Sequence, residues 1–185
     1  MPKQHESVLE REVIQNLNLL GGSLIVDGTL GDGGHAELLL KKTTSVRVLG
    51  IDRDMRAIER AEKRLAPFRD RITLVHGNFG DIKTILKKAN VMNVDGLLLD
   101  LGVSSPQLDS PNRGFSFMRN GPLDMRMDSS QKITAADLLI ELPDEKLVSV
   151  IKEYGEERFS KRIVRAIRQA QKQSEIGRAS CRERV

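Results

Sequence analysis

The sequence predicts an α/β protein built from parallel βαβ units. Three observations predict it. Short apolar strands alternate with amphipathic helices between residues 7 and 100, the pattern of a parallel sheet covered on both faces. Three of the strands end in a carboxylate: Asp27, Asp52 and Asp100. A glycine-rich turn, GTLGDGG over residues 28–34, joins the first strand to the next helix.

The elements follow in order. Residues 7–20 place Val8, Val13, Ile14, Leu17 and Leu20 at near-helical spacing, and Gly21-Gly22 stops the helix. Residues 23–27 form a short buried strand. A helix over 34–42 follows the turn, and residues 47–52 are the second strand. Residues 54–65 are helical up to Pro67. Residues 71–75 are the third strand, 81–89 a helix, and 96–100 the fourth strand. Residues 101–132 then turn rich in Gly, Pro, Ser and Asp while keeping Leu, Phe and Met. A loop of that length inside a compact chain points to function, so it is expected to be ordered. Helices are expected over 134–141, 144–154 and 157–173, with breaks at Pro143 and Gly155.

The totals narrow the function classes. The chain has 185 residues and a formal charge of +4. Residues 1–151 hold 20 Lys and Arg against 21 Asp and Glu, a net of −1. Residues 152–173 hold 7 against 3, so the basicity is local to the last helix. There Arg158, Lys161, Arg162, Arg165, Arg168 and Lys172 share an arc opposite Phe159, Ile163, Ala166, Ile167 and Ala170. The arc reads either as a solvated face or as a phosphate-binding stripe. A hydrophobic content of 39% is enough to build a core. No apolar run reaches the ~18 residues of a membrane helix. MPKQHESVLE has no apolar stretch of the secretory kind, and Cys181 is the only cysteine. A reducing, cytoplasmic setting is expected. No His, Cys or carboxylate cluster has metal spacing, so no metal is expected.

The turn suits a nucleoside cofactor. Glycines allow close backbone approach, and the helix start offers free N–H groups. Asp52 lies 19 residues beyond Gly33, where a carboxylate accepts ribose hydroxyls. GDGGHA also matches a dinucleotide fingerprint, which keeps an NAD-dependent oxidoreductase open. Asp27, Asp32 and Asp100 would crowd a pyrophosphate but suit the methionyl ammonium of S-adenosylmethionine. That favours S-adenosyl-L-methionine as cofactor.

The segment DLGVSSPQLD, followed by RGFSF and GPLDMRM, is more specific than any glycine motif. With HESVLEREV, DGTLGDGGH, IDRD, HGNF, TAADLL and YGEERFSKRIVRAI, it resembles the RsmH (MraW) family. These enzymes methylate N4 of a cytosine in small-subunit ribosomal RNA. The resemblance runs from about residue 5 to 173. It implies a class I (Rossmann-like) methyltransferase fold with a helical domain inserted after the fourth strand. By motif it implies cofactor contacts at Gly33, Gly34, His35, Asp52, Phe79, Asp100 and Gln107. His35, Phe79 and Gln107 rest on the resemblance alone. It also implies small-subunit ribosomal RNA, or the small subunit itself, as partner, with no membrane and with a homodimer left open.

No catalytic residue is assigned. Asp100 and Ser104-Ser105-Pro106 are where an acceptor for an N4 hydrogen would sit. Arg113, Arg119 and Arg126 read either as RNA-phosphate contacts or as ion-pair partners of Asp109, Asp124 and Asp128. His5 and His76 read as structural.

Three regions are expected: a cofactor-binding part over 1–103 with an incomplete sheet, a substrate loop and partial helical insert over 104–173, and a non-native tail over 174–185. The family's chain returns from the insert to complete its sheet. A fragment ending in the insert is therefore expected to expose an apolar edge at the fourth strand and to be impaired as an enzyme. A non-catalytic RNA-binding fragment is the remaining alternative.

Overall fold

A computed structural model describes residues 9–17, 19 and 21–173. His5, the first residues of the expected N-terminal helix, Leu20, and the segment 174–185 with Cys181 lie outside them. The chain divides into two compact units, one up to Gly102 and one from Val103.

The first unit is a four-stranded parallel sheet in the order β3-β2-β1-β4. Its strands are β1 (Leu24–Asp27), β2 (Arg47–Asp52), β3 (Ile72–His76) and β4 (Gly96–Leu98). Its helices are α1 (Glu10–Asn16), α2 (Gly34–Lys42), α3 (Met55–Leu65) and α4 (Ile82–Lys88). The first two crossovers move outward from β1 to β2 and on to β3. The third returns to the other side of β1. The strand order therefore reverses between β1 and β4, and a ligand crevice is expected beyond the carboxyl ends of those strands.

Alternation along the strands builds both faces of the core. Ile25 and Val48 pack with Leu39, Leu40, Ala61 and Leu65 beneath α2 and α3. Their neighbours Val26 and Leu49, with Ile51, face the other way and pack against Ile82, Ile85 and Leu86 of α4. Local sequence sets the helix ends. Asp54 Oδ1 accepts the Arg56 N–H at 3.1 Å, capping α3. The Arg71 guanidinium donates to the carbonyls of Leu40, Thr43 and Val46, binding the C-terminal end of α2 to the start of β3.

Two strands end at residues other than those the sequence reading gives them. The third strand runs one residue later, to His76. The fourth ends at Leu98, so Asp100 stands two residues beyond it. The partner strand explains this. β1 ends at Asp27, which pairs with Leu98, and the Gly28 N–H makes the last ladder-like bond to the Leu98 carbonyl at 2.9 Å. Leu97 and Leu99 are 47% and 41% exposed along this edge.

In the second unit, α6 (Ala135–Glu141), α7 (Asp144–Glu153) and α8 (Ser160–Gln173) enclose Leu147, Val164 and Ile167. A capping box of Thr134 and Asp137 opens α6. The last helix begins at Ser160 rather than 157, and Phe159, expected on its apolar face, is about half exposed with Arg158 stacked on its ring at 4.7 Å. The Gly/Pro-rich segment is ordered, as expected, but not without regular structure. It contains α5 (Ser105–Asp109) and a 3-10 turn over Pro111–Arg113. Its folds are close-packed: a Cβ on Gly121 would lie 1.8 Å from the Pro111 carbonyl oxygen.

Candidate functional site: a carboxylate-rimmed glycine turn

The turn after β1 is held by side chains of the site itself. Asp27 ends β1 only 1% exposed, and its Oδ1 accepts the Thr29 N–H at 3.2 Å. The Thr29 hydroxyl oxygen accepts the Asp100 N–H at 2.7 Å, which fixes the segment leaving β4 to the turn. Asp52 closes the turn from β2. Its Oδ2 accepts the Gly31 N–H at 2.7 Å and its Oδ1 the Asp54 N–H at 2.8 Å. Each oxygen keeps a second lone pair for an incoming hydroxyl. Gly33 has φ +79°, a left-handed conformation that lets the chain turn into α2, and a Cβ there would stand 2.9 Å from Leu65 Cδ1.

Around this turn stand most of the expected contacts. Gly34 begins α2 and His35 is buried in its first turn. Phe79 opens a 3-10 turn after β3, and its Cβ lies 3.1 Å from where a Cβ on Gly28 would be. The structure thus brings Gly33, Gly34, His35, Asp52, Phe79 and Asp100 to one end of one sheet. Gln107 belongs to the second unit. It is 6% exposed, and its Oε1 accepts the Ser104 N–H at 3.0 Å across the start of α5.

The carboxylates are not equivalent. Asp32 is paired with Arg60 at 2.8 Å and serves to tie the turn to α3. Asp100 is exposed. Asp27 is pushed up to about 7, chiefly by burial; the charges of Asp52 and Asp100 add to this, while the Thr29 N–H and His35 oppose it. Its Oδ2 is buried without a hydrogen-bond partner. Sequence reasoning placed Asp27 near the turn but missed Thr29, although an Asp followed by Gly is a recognisable Asx-turn signal, its side chain accepting the N–H two residues on. His76 Nε2 lies 3.1 Å from the Arg53 carbonyl, so it holds backbone.

The basic residues divide as well. Arg126 pairs with both oxygens of Asp124, at 2.7 and 2.6 Å, and also donates to the Gln131 carbonyl. This holds Asp124 below its usual range, chiefly through the side-chain hydrogen bond. Arg113 is 6% exposed and donates to the Arg126 and Met127 carbonyls. Arg119 donates to the Asp109 carbonyl at 2.6 Å. The loop arginines therefore brace the loop. Arg168 leaves the α8 stripe in the same way, donating to Asp144, to Gln171 and to the Leu139 and Leu142 carbonyls. Lys161, Arg162, Arg165 and Lys172 remain exposed.

The sheet order and the turn define an α/β protein with a parallel sheet whose strand order reverses beside a glycine-rich turn. The MraW methylase family matches residues 2–181, reaching into the segment expected to be non-native, and the chain belongs to that family. It is 51% identical to the ribosomal RNA small subunit methyltransferase H of Syntrophotalea carbinolica, over 89% of this chain and 52% of that protein. It is 52% identical to the same-named protein of Sorangium cellulosum, over 94% of this chain and 55% of that one. The chain thus spans about half the length of the curated relatives it matches. Among solved structures, one described as a putative rRNA-methylase from Clostridium thermocellum aligns with TM-score 0.44 and 21% identity over 56% of this chain and 57% of that one.

Proposed function

We propose that the chain is the cofactor-binding part of a methyltransferase that uses S-adenosyl-L-methionine to methylate cytosine N4 in small-subunit ribosomal RNA. The observation that carries the cofactor is the set of carboxylates around the glycine turn. Asp27, Asp52 and Asp100 converge there, and Asp27 has a buried oxygen without a partner. That set repels a pyrophosphate and attracts an ammonium. Asp52 has free lone pairs for ribose hydroxyls, and Phe79, whose Cβ stands against Gly28, brings an aromatic ring for a purine. Bound there, the cofactor supplies an electrophilic methyl group on sulfur.

The RNA substrate rests on family membership and on the relatives' names. Cytosine N4 is a weak nucleophile because its lone pair is delocalised into the ring. The chain's part is then orientation and an acceptor for an N4 hydrogen. Asp100, exposed and held by Thr29 through its own N–H, leaves its carboxylate available for that role. The target base must leave any stack to be reached.

Calorimetry with S-adenosylmethionine and with NAD tests the cofactor. Saturable binding of the first and no heat from the second is expected; tight NAD binding with no response to S-adenosylmethionine would overturn the reading in favour of an oxidoreductase. A second measurement tests the RNA surface. Replacing Arg162 and Arg165 by glutamine should flatten the plot of log affinity against log salt by about 1.4, since each phosphate contact on a single strand contributes roughly 0.7. Fluorescence anisotropy with a small-subunit RNA fragment reads the slope. An unchanged slope makes the stripe a solvated face.

A further inference from the structure

Asp27 is the most deeply buried of the three carboxylates at the turn. Asp27 Oδ1 accepts the Thr29 N–H, and Oδ2 is buried at the end of β1 with no hydrogen-bond partner. An ionised carboxylate with a bare buried oxygen is costly unless a cation faces it. The titratable groups around it are His35 from α2, Asp52 from the end of β2 and Asp100 beyond β4. Two of the three are acidic and disfavour a further negative charge. Asp32, the nearest carboxylate in sequence, is paired with Arg60.

We propose that Asp27 is the proton-exchanging group of the site: it carries a proton in the ligand-free chain and releases it when an ammonium-bearing nucleoside ligand binds. The step balances simply. The carboxylic acid and the ligand's ammonium become a carboxylate facing an ammonium, and one proton passes to the buffer. The inference rests on the cofactor reading above and extends it to the ligand's charged end. It also assigns Thr29 a part. Because one Asp27 oxygen holds the Thr29 N–H and the Thr29 hydroxyl holds Asp100, the ion pair and the placement of Asp100 are mechanically linked.

The raised ionisation of Asp27, at about 7, sets the pH range of the effect. Below it, binding must first remove a proton, so affinity should fall close to tenfold per pH unit. Above about pH 8 the ligand's own amino group begins to lose its charge, so the informative range lies below that.

The test is calorimetry on the chain near about pH 6, in two buffers of different ionisation enthalpy. S-adenosylmethionine and S-adenosylhomocysteine, which both carry the ammonium, should each release close to one proton. Methylthioadenosine, which lacks the amino-acid end, should release none. Asp27→Asn should bind methylthioadenosine as the parent does, lose most of its preference for S-adenosylmethionine, and release no proton. Binding of S-adenosylmethionine without proton release overturns the inference and leaves the cofactor reading intact. Proton release that persists in Asp27→Asn also overturns it, since the proton then comes from another group such as His35. Absence of S-adenosylmethionine binding at every pH from about 5.5 to 8 overturns the cofactor reading itself.

Discussion

Replacing Gly121 with alanine should loosen the second unit by about 3 kcal/mol, the upper part of the range for forced overpacking. The added methyl would sit 1.8 Å from the Pro111 carbonyl oxygen and 2.7 Å from its carbon. Both obstacles are backbone, so no rotamer change relieves them. Either the 3-10 turn at Pro111 or the strand of chain leading to Pro122 must move. The bonds that depend on this packing are nearby: the Met125 N–H to the Arg113 carbonyl at 3.0 Å, and the Ala135 and Ala136 N–H groups to Asp124 and Leu123 at 2.7 and 2.9 Å. Hydrogen exchange should show those amides losing protection while the β1 and β2 amides keep theirs. Gly21→Ala is the control, because its nearest obstacle is the Ser45 Oγ at 3.8 Å. Unchanged protection at Met125, Ala135 and Ala136 would show that the loop does not depend on this contact.

The second large effect is the pH dependence of stability at Asp27. The unfolded carboxyl ionises near 3.8 and the folded one near 7. Between those values the folded state holds a proton that the unfolded state has lost. Stability therefore falls as pH rises across that window and levels off above it. Three pH units correspond to a loss on the order of 4 kcal/mol. Asp27→Asn cannot ionise and keeps the shape of the neutral acid. It should match the parent at about pH 4 and exceed it by a few kcal/mol at about pH 8 in urea denaturation. A stability difference that does not grow with pH would mean that Asp27 ionises freely in the folded chain. The same residue then makes a consistent trade: the variant that is more stable at high pH is the one that should lose the ammonium-bearing ligand.

Much of the site was legible because its signals are local. A glycine run after an apolar strand, and a carboxylate at the end of the next strand, lie within 25 residues of each other. They have few ways to fold other than the one observed, and α2 and β2 have the expected limits. The limit of β4 was not legible. Leu99 continues the apolar run of its strand, but β1 has no residue left to pair with it. Strand length here is a property of the pair.

The arginines were the least legible residues. Arg126 finds Asp124 two residues away, and that pairing was among the alternatives in view. Arg113, Arg119 and Arg168 instead bind carbonyls between 10 and 29 residues away. A carbonyl acceptor leaves no mark in the sequence, because every residue has one. Charge counting therefore assigns such arginines to the surface, whereas packing uses them as helix caps and loop braces.

The sequence by itself determined the parallel α/β class, the order of the elements, the glycine-rich turn after β1 and the family blocks. All of these follow from periodicity and short spacings, which the chain carries locally. Only the tertiary structure decided which charges are free to act. It paired Asp32, Arg126 and Arg168, left four cations of α8 exposed, and buried Asp27 with one oxygen unpartnered. The reason is physical: whether a charge binds a ligand or braces the fold depends on its desolvation and its neighbours in space, and neither exists until the chain has folded.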